Sequence, residues 1–88
     1  MKATEDMIKV FDRAVKVLFP ESEIEHKTMT ETWDSATVIL GNGNYGKFNI
    51  SPVSVRYNGR CCTAEENAKF ESLTLNDELY NGKLFEIN

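Results

Sequence analysis

Residues 5–19 place the strongest constraint on the fold. Met7, Ile8, Val10, Phe11, Ala14, Val15, Val17 and Leu18 fall on one half of a helical wheel, and Glu5, Asp6, Lys9, Asp12, Arg13 and Lys16 occupy the other. The pattern predicts a helix. Thr4 is positioned to cap it, Glu5 and Asp6 occupy the first turn where the dipole favours negative charge, and Pro20 ends it. The apolar arc covers close to half the circumference, wider than a coiled-coil seam, and suits a helix lying across a sheet. The rest of an 88-residue chain must supply that sheet, so a single domain spanning residues 1–88 is expected. With 41% hydrophobic and 27% charged residues the chain has globular composition, and at this size it buries about 60–65% of its unfolded surface.

The middle of the chain supplies strands. Thr28, Thr30 and Thr32 alternate with Met29, Glu31 and Trp33, Asp34-Ser35 offers a turn, and residues 36–40 form an apolar run. A three-residue loop at 42–44 would pair Val38 with Phe48 and Ala36 with Ile50, giving a core face of Ala36, Val38, Leu40, Phe48 and Ile50. After Pro52, residues 53–57 read as a further strand. Asn58-Gly59 then signals a hairpin that sets Tyr57 against Arg60, Arg56 against Cys61 and Val55 against Cys62. Thr63 and Glu66 have the spacing of a capping box at the head of a short helix over residues 64–72. The tail through Ile87 alternates like a strand, and Tyr80-Asn81-Gly82-Lys83 repeats the turn pattern of residues 57–60. The expected fold class is α+β: an N-terminal amphipathic helix packed on a small, mainly antiparallel sheet of three to five strands, with a second short helix.

Charge is unevenly distributed. The net charge of −4 disfavours a protein that coats nucleic acid, which would need a basic excess to release counterions. Residues 21–34 sum to −4 and residues 65–78 to −4, whereas residues 35–64 contain no acid and carry Lys47, Arg56 and Arg60, for +3. An electropositive middle framed by two acidic segments follows if the fold keeps the signs apart. Glu21, Glu23 and Glu25, spaced by two, with Glu31 beyond, line one face of an extended segment at intervals of about 6.5–7 Å. That spacing approaches the phosphate repeat of a nucleic-acid strand, and equally serves to keep a sheet edge from aggregating.

Adjacent Cys61 and Cys62 do not form a disulfide framework and point to a reducing compartment. No run approaches the roughly 20 apolar residues of a membrane span, and no charged-then-apolar leader is present, so a cytoplasmic location without membrane contact is expected.

Several motifs invite chemistry. Gly41-Asn42-Gly43-Asn44-Tyr45-Gly46 has the form G-x-G-x-x-G after a predicted strand, but a second strand follows it, so no helix N-terminus receives a pyrophosphate. Over about nine residues this strand-loop-strand setting resembles the glycine-rich loop of protein kinases; the H-R-D and D-F-G stretches of those enzymes are missing. The same glycines suit a tight hairpin. Arg56 beside Cys61 would favour a thiolate, yet metal binding needs about four ligands and the chain has one histidine. No metal or other cofactor is expected. His26, between Glu25 and Lys27, reads as an exposed strand residue, and Glu65, Glu66, Asp77 and Glu78 as capping and solubilising groups.

The expected function is therefore non-enzymatic: binding another macromolecule, most simply a protein, as an inhibitor or accessory factor. Trp33, Tyr45, Arg56, Tyr57 and Arg60 are the candidate contacts, aromatic and arginine side chains being the usual anchors of interfaces. The size is compatible with a phage or mobile-element protein that blocks a host system, and the same surfaces would serve a homo-oligomer. The alternative is a phosphate- or nucleotide-binding hairpin at residues 41–47 using Gly41, Gly43, Gly46 and Lys47.

Overall fold

A computed structural model describes residues 2–58, 61–80 and 84–87. Helix α1 (Lys2–Leu18) is followed by β1 (Glu23–Thr30), β2 (Trp33–Ile39), β3 (Tyr45–Ile50), β4 (Ser54–Tyr57), helix α2 (Ala64–Leu75) and β5 (Leu84–Ile87). The strands form one sheet in chain order, β1-β2-β3-β4-β5. The first four are antiparallel neighbours, and β5 runs parallel to β4. This is the expected α+β arrangement.

Helix α1 begins earlier than its pattern suggests, so Thr4 lies inside it and is not its cap. Its apolar stripe buries Met7, Val10, Phe11, Ala14 and Val15, while Val17, at the margin of the arc, is 66% exposed. The helix closes with the Phe19 N–H donating to the Val15 carbonyl at 2.7 Å, one residue before Pro20 removes the next donor.

The first hairpin turns earlier than expected. Thr30 pairs with Trp33, which leaves Glu31 and Thr32 as the connection, and the Thr30 hydroxyl accepts from the Thr32 N–H at 3.2 Å. Asp34 and Ser35, expected as a turn, are strand residues of β2. Asp34 heads the inward row Asp34, Ala36, Val38.

In the second hairpin the loop has the expected three residues but lies at 41–43. Leu40 donates to the Asn44 carbonyl at 2.8 Å and Gly43 to the Leu40 carbonyl at 3.0 Å, with Gly43 at φ 89°. The loop's last position requires a left-handed backbone, and the glycine able to take it fixes the register. Ala36 therefore faces Phe48, Val38 faces Gly46 and Asp34 faces Ile50, a slip of two residues from the expected pairing. A slip of two keeps every side chain on its face, so Ala36, Val38, Phe48 and Ile50 are buried as expected, and Leu40 is half-buried.

Ser51 turns the chain into β4: its N–H donates to the Ser54 carbonyl at 2.9 Å and its hydroxyl accepts from the amides of Val53 and Ser54. Phe48, Asn49 and Ile50 then face Tyr57, Arg56 and Val55. The expected hairpin beyond Tyr57 does not form. Cys61 and Cys62 lie in a turn, Gly59 and Arg60 fall outside the described residues, and the second neighbour of β4 is β5, with Val55 facing Phe85 and Tyr57 facing Ile87. The reason is the helix that follows. Thr63 and Glu66 exchange bonds as the predicted capping box, and α2 carries the chain back along the sheet so that the next strand enters parallel.

Both helices pack on one face. Phe11 of α1 meets Phe48 at a centroid distance of 4.9 Å, and Phe70 of α2 meets Phe48 at 5.5 Å and Phe11 at 5.6 Å. Tyr57 stacks on Phe48 at 4.3 Å, so four rings centred on Phe48 join both helices to the sheet. Arg13 adds an ion pair at 3.1 Å from α1 to Asp77, just past the end of α2.

Candidate functional site

Directly opposed residues in an antiparallel sheet point to the same side, so the pairing assigns each strand residue to a face. With the helices on one face, the other carries Lys27, Ser35, Asn49 and Arg56 in one row, Glu25, Thr37 and Lys47 in a second, and Glu23, Ile39 and Tyr45 in a third. No described helix covers it. Burial alternates accordingly along β2, β3 and β4.

Trp33 and Tyr45 stand at opposite ends of this face, 41% and 63% exposed. The indole N–H of Trp33 donates to Asn49 Oδ1 at 3.0 Å, which fixes the ring against the sheet surface. Between the aromatics lie Lys47 on β3 and Arg56 on β4, both from the acid-free segment, while Glu23 and Glu25 stand on β1. Lys27 stands on β1 beside those carboxylates, so the expected separation of signs is only partial: β1 carries both signs, and the cations Lys47 and Arg56 lie over β3 and β4. Of the candidate contacts, Trp33, Tyr45 and Arg56 come together here. Arg60 lies outside the described residues. Tyr57 is a correction: the parity of β4 turns it to the helix side, where it is 3% exposed and its hydroxyl donates to Asn67 Oδ1. Burial, followed by the nearby Cys62, Cys61 and Glu66, pushes its phenol well above the ordinary range. Asn49 carries no sequence signal of this role; its position three residues before the strand-breaking Pro52 does not announce that it would hold an indole.

Gly43, Asn44, Tyr45, Gly46, Lys47, Asn58 and Cys61 line an open groove of about 570 Å³ at the start of β3. The glycines here answer to the backbone and to packing. Gly43 takes the positive φ of the turn, and a Cβ on Gly46 would lie 2.6 Å from Cys61 Sγ. The Gly43 amide donates to Leu40 and the Asn44 amide to Asn42 Oδ1 at 3.0 Å, so neither points at an anion. Lys47 is the cation on the groove wall.

The contact between Gly46 and Cys61 also places Cys61 on the helix side of the sheet, opposite the face of Arg56, so the expected thiolate pairing is not made. Cys61 and Cys62 lie thiol to thiol at 2.8 Å. Burial, then the bond to Cys61, raises the Cys62 thiol far above its ordinary pKa, the reverse of a nucleophile's tuning.

A polar cluster lies between α1 and the sheet. His26 is turned to the helix side, where Nδ1 is 2.6 Å from Asp34 Oδ2 and Nε2 is 2.8 Å from Asp12 Oδ1. His26 is the expected exposed strand residue, yet its side chain is only 26% exposed and is bonded on both nitrogens, and that of Asp34 is 1% exposed. A neutral imidazole carries one N–H and can donate to one carboxylate, whereas imidazolium donates to both. Burial is the largest single influence and disfavours the charge, but the hydrogen bonds and charges of Asp34 and Asp12 outweigh it, and the His26 pKa is raised above 6.5. The two carboxylates sit on different ring nitrogens and do not converge on one point. Among the described residues no group of three or more His, Cys, Asp or Glu is placed to hold a metal ion.

Among the described residues no helix is long and apolar enough to cross a membrane. Comparison of the chain with known protein families, with curated protein sequences and with solved structures finds no match.

Proposed function

We propose that this protein acts by binding a protein partner through the uncovered face of its sheet, as an inhibitor or accessory factor that occupies its partner's surface. The observation that carries this reading is the placement of both helices on one face, which leaves Trp33, Tyr45, Lys47, Asn49 and Arg56 together on the other. Aromatic and guanidinium groups supply most of the energy of protein interfaces, and a ring already held by a hydrogen bond, as Trp33 is by Asn49, loses little rotamer freedom on docking. The mixed charges of this face, with Glu23, Glu25 and Lys27 on β1 and Lys47 and Arg56 on β3 and β4, favour a partner that also presents both signs.

The test is affinity capture with the wild-type chain and with a Trp33→Ala/Lys47→Glu/Arg56→Glu variant. These side chains lie outside the core, so the variant should keep its circular dichroism spectrum and a cooperative melt, with a modest loss from the Trp33–Asn49 bond. The expected outcome is a partner held by the wild type and lost from the variant; equal retention by a folded variant refutes the site. A nucleotide panel titrated against amide shifts addresses the hairpin at residues 41–47: saturable shifts confined to it would favour phosphate binding over the face.

A further inference from the structure

The sheet has one long unpaired edge. β1 is eight residues long and is hydrogen-bonded to β2 on one side only, and it is exposed throughout except at half-buried Ile24. Its outward backbone groups have no strand partner among the described residues. An edge of this kind accepts another strand unless its side chains forbid it.

Here the charges select a partner. In an antiparallel pairing of β1 with the same strand of a second molecule, a two-fold axis at His26 sets Glu25 opposite the twin Lys27 and Lys27 opposite the twin Glu25, with Glu23 facing Met29 and Ile24 facing Thr28. Neighbouring symmetric registers are worse. An axis at Lys27 sets lysine against lysine, one at Glu25 sets glutamate against glutamate, and one at Ile24 sets Glu23 against Glu25. This axis also sets His26 opposite its twin, but each ring has both nitrogens on the carboxylates of Asp12 and Asp34 of its own chain, which offset its charge.

We propose that the protein forms a two-fold dimer by antiparallel pairing of its β1 strands centred on His26, with two Glu25–Lys27 pairs fixing the register. The result is a continuous ten-stranded sheet in which the uncovered faces of the two copies run together. The inference goes beyond the binding role and does not depend on it.

Sedimentation equilibrium over a concentration series gives the mass, with circular dichroism confirming that each variant is folded. The wild type should pass from the 10.0 kDa chain mass to twice that value as concentration rises. Lys27→Glu and Glu25→Lys each turn two attractive pairs repulsive and should weaken association about tenfold or more. The double exchange Glu25→Lys/Lys27→Glu restores the pairs in reverse and should recover dimerisation. A wild-type chain that stays at the single mass up to millimolar concentration overturns the proposal, as does a dimer that both single variants form unchanged. A double exchange no better than the single variants overturns the register.

Discussion

At the scale of single residues, His26 is the position where the fold does most with one side chain. It joins α1 to β1 and β2, and it is the hydrogen-bond partner of a carboxylate that is 1% exposed and whose other oxygen, Oδ1, is buried without a partner. Its pKa is higher in the folded chain than the 6.5 of an unfolded one. The stabilisation it gives is therefore complete below about pH 6.5 and is lost as pH rises through the folded-state value, where one of the two carboxylates loses its donor. Urea unfolding between pH 5.5 and 9 should show this decline, and imidazole resonances should titrate above the ordinary range. His26→Gln should flatten the dependence over that window and cost about 1–3 kcal/mol, the penalty for a buried acceptor left incompletely bonded. A declining profile that persisted unchanged in the variant would assign the effect elsewhere. In the sequence this histidine stands between Glu25 and Lys27, and nothing there announces its partners, which are 14 positions before and eight after it.

At the scale of elements, local chemistry is legible along the chain and strand pairing less so. The capping box of α2 was legible because all its members lie within four residues: the Thr63 hydroxyl accepts from the Glu66 amide at 3.1 Å, and the Glu66 carboxylate accepts from the Thr63 amide at 2.8 Å. Thr63→Ala should cost about 1 kcal/mol, measured by denaturant titration, and should speed hydrogen exchange in the first turn of α2 before the rest of the helix. Thr63→Ser should recover most of the loss, since the hydroxyl is what matters. The hairpins were located, but the turn at Asp34-Ser35 moved to Glu31-Thr32 and the register of β2 on β3 slipped by two. Asp34 has the residue type of a turn, and only a donor brought by β1 makes its burial tolerable. The Asn58-Gly59 signal failed because a turn sequence permits a hairpin without supplying the strand that would complete it.

At the scale of the molecule, Phe48 is the junction on which the architecture depends, because its ring contacts Phe11 of α1, Phe70 of α2 and Tyr57 of β4. Phe48→Ala should remove about 3–5 kcal/mol, a large share of the stability of so small a domain. By contrast, Lys47→Glu on the uncovered face should shift stability by no more than about 0.5 kcal/mol. The contrast in melting temperature between these variants tests the division of the sheet into a face that holds the molecule together and a face available to a partner.

Helix amphipathicity, capping and period-two alternation are properties of neighbours along the chain, so both helices and the inward facing of Ala36, Val38, Phe48, Ile50 and Val55 are legible in the sequence. The sequence also determined that cations would concentrate in the middle and carboxylates on either side. That Lys47 and Arg56 share the uncovered face with Trp33 and Tyr45, that Tyr57 turns inward, and that His26 bridges Asp12 and Asp34 are results of strand assembly. Those outcomes depend on which strand lies beside which and in what register. The register of β2 on β3 follows from the left-handed turn at Gly43, and the place of β5 beside β4 from the crossover through α2, which brings together strands far apart in the chain.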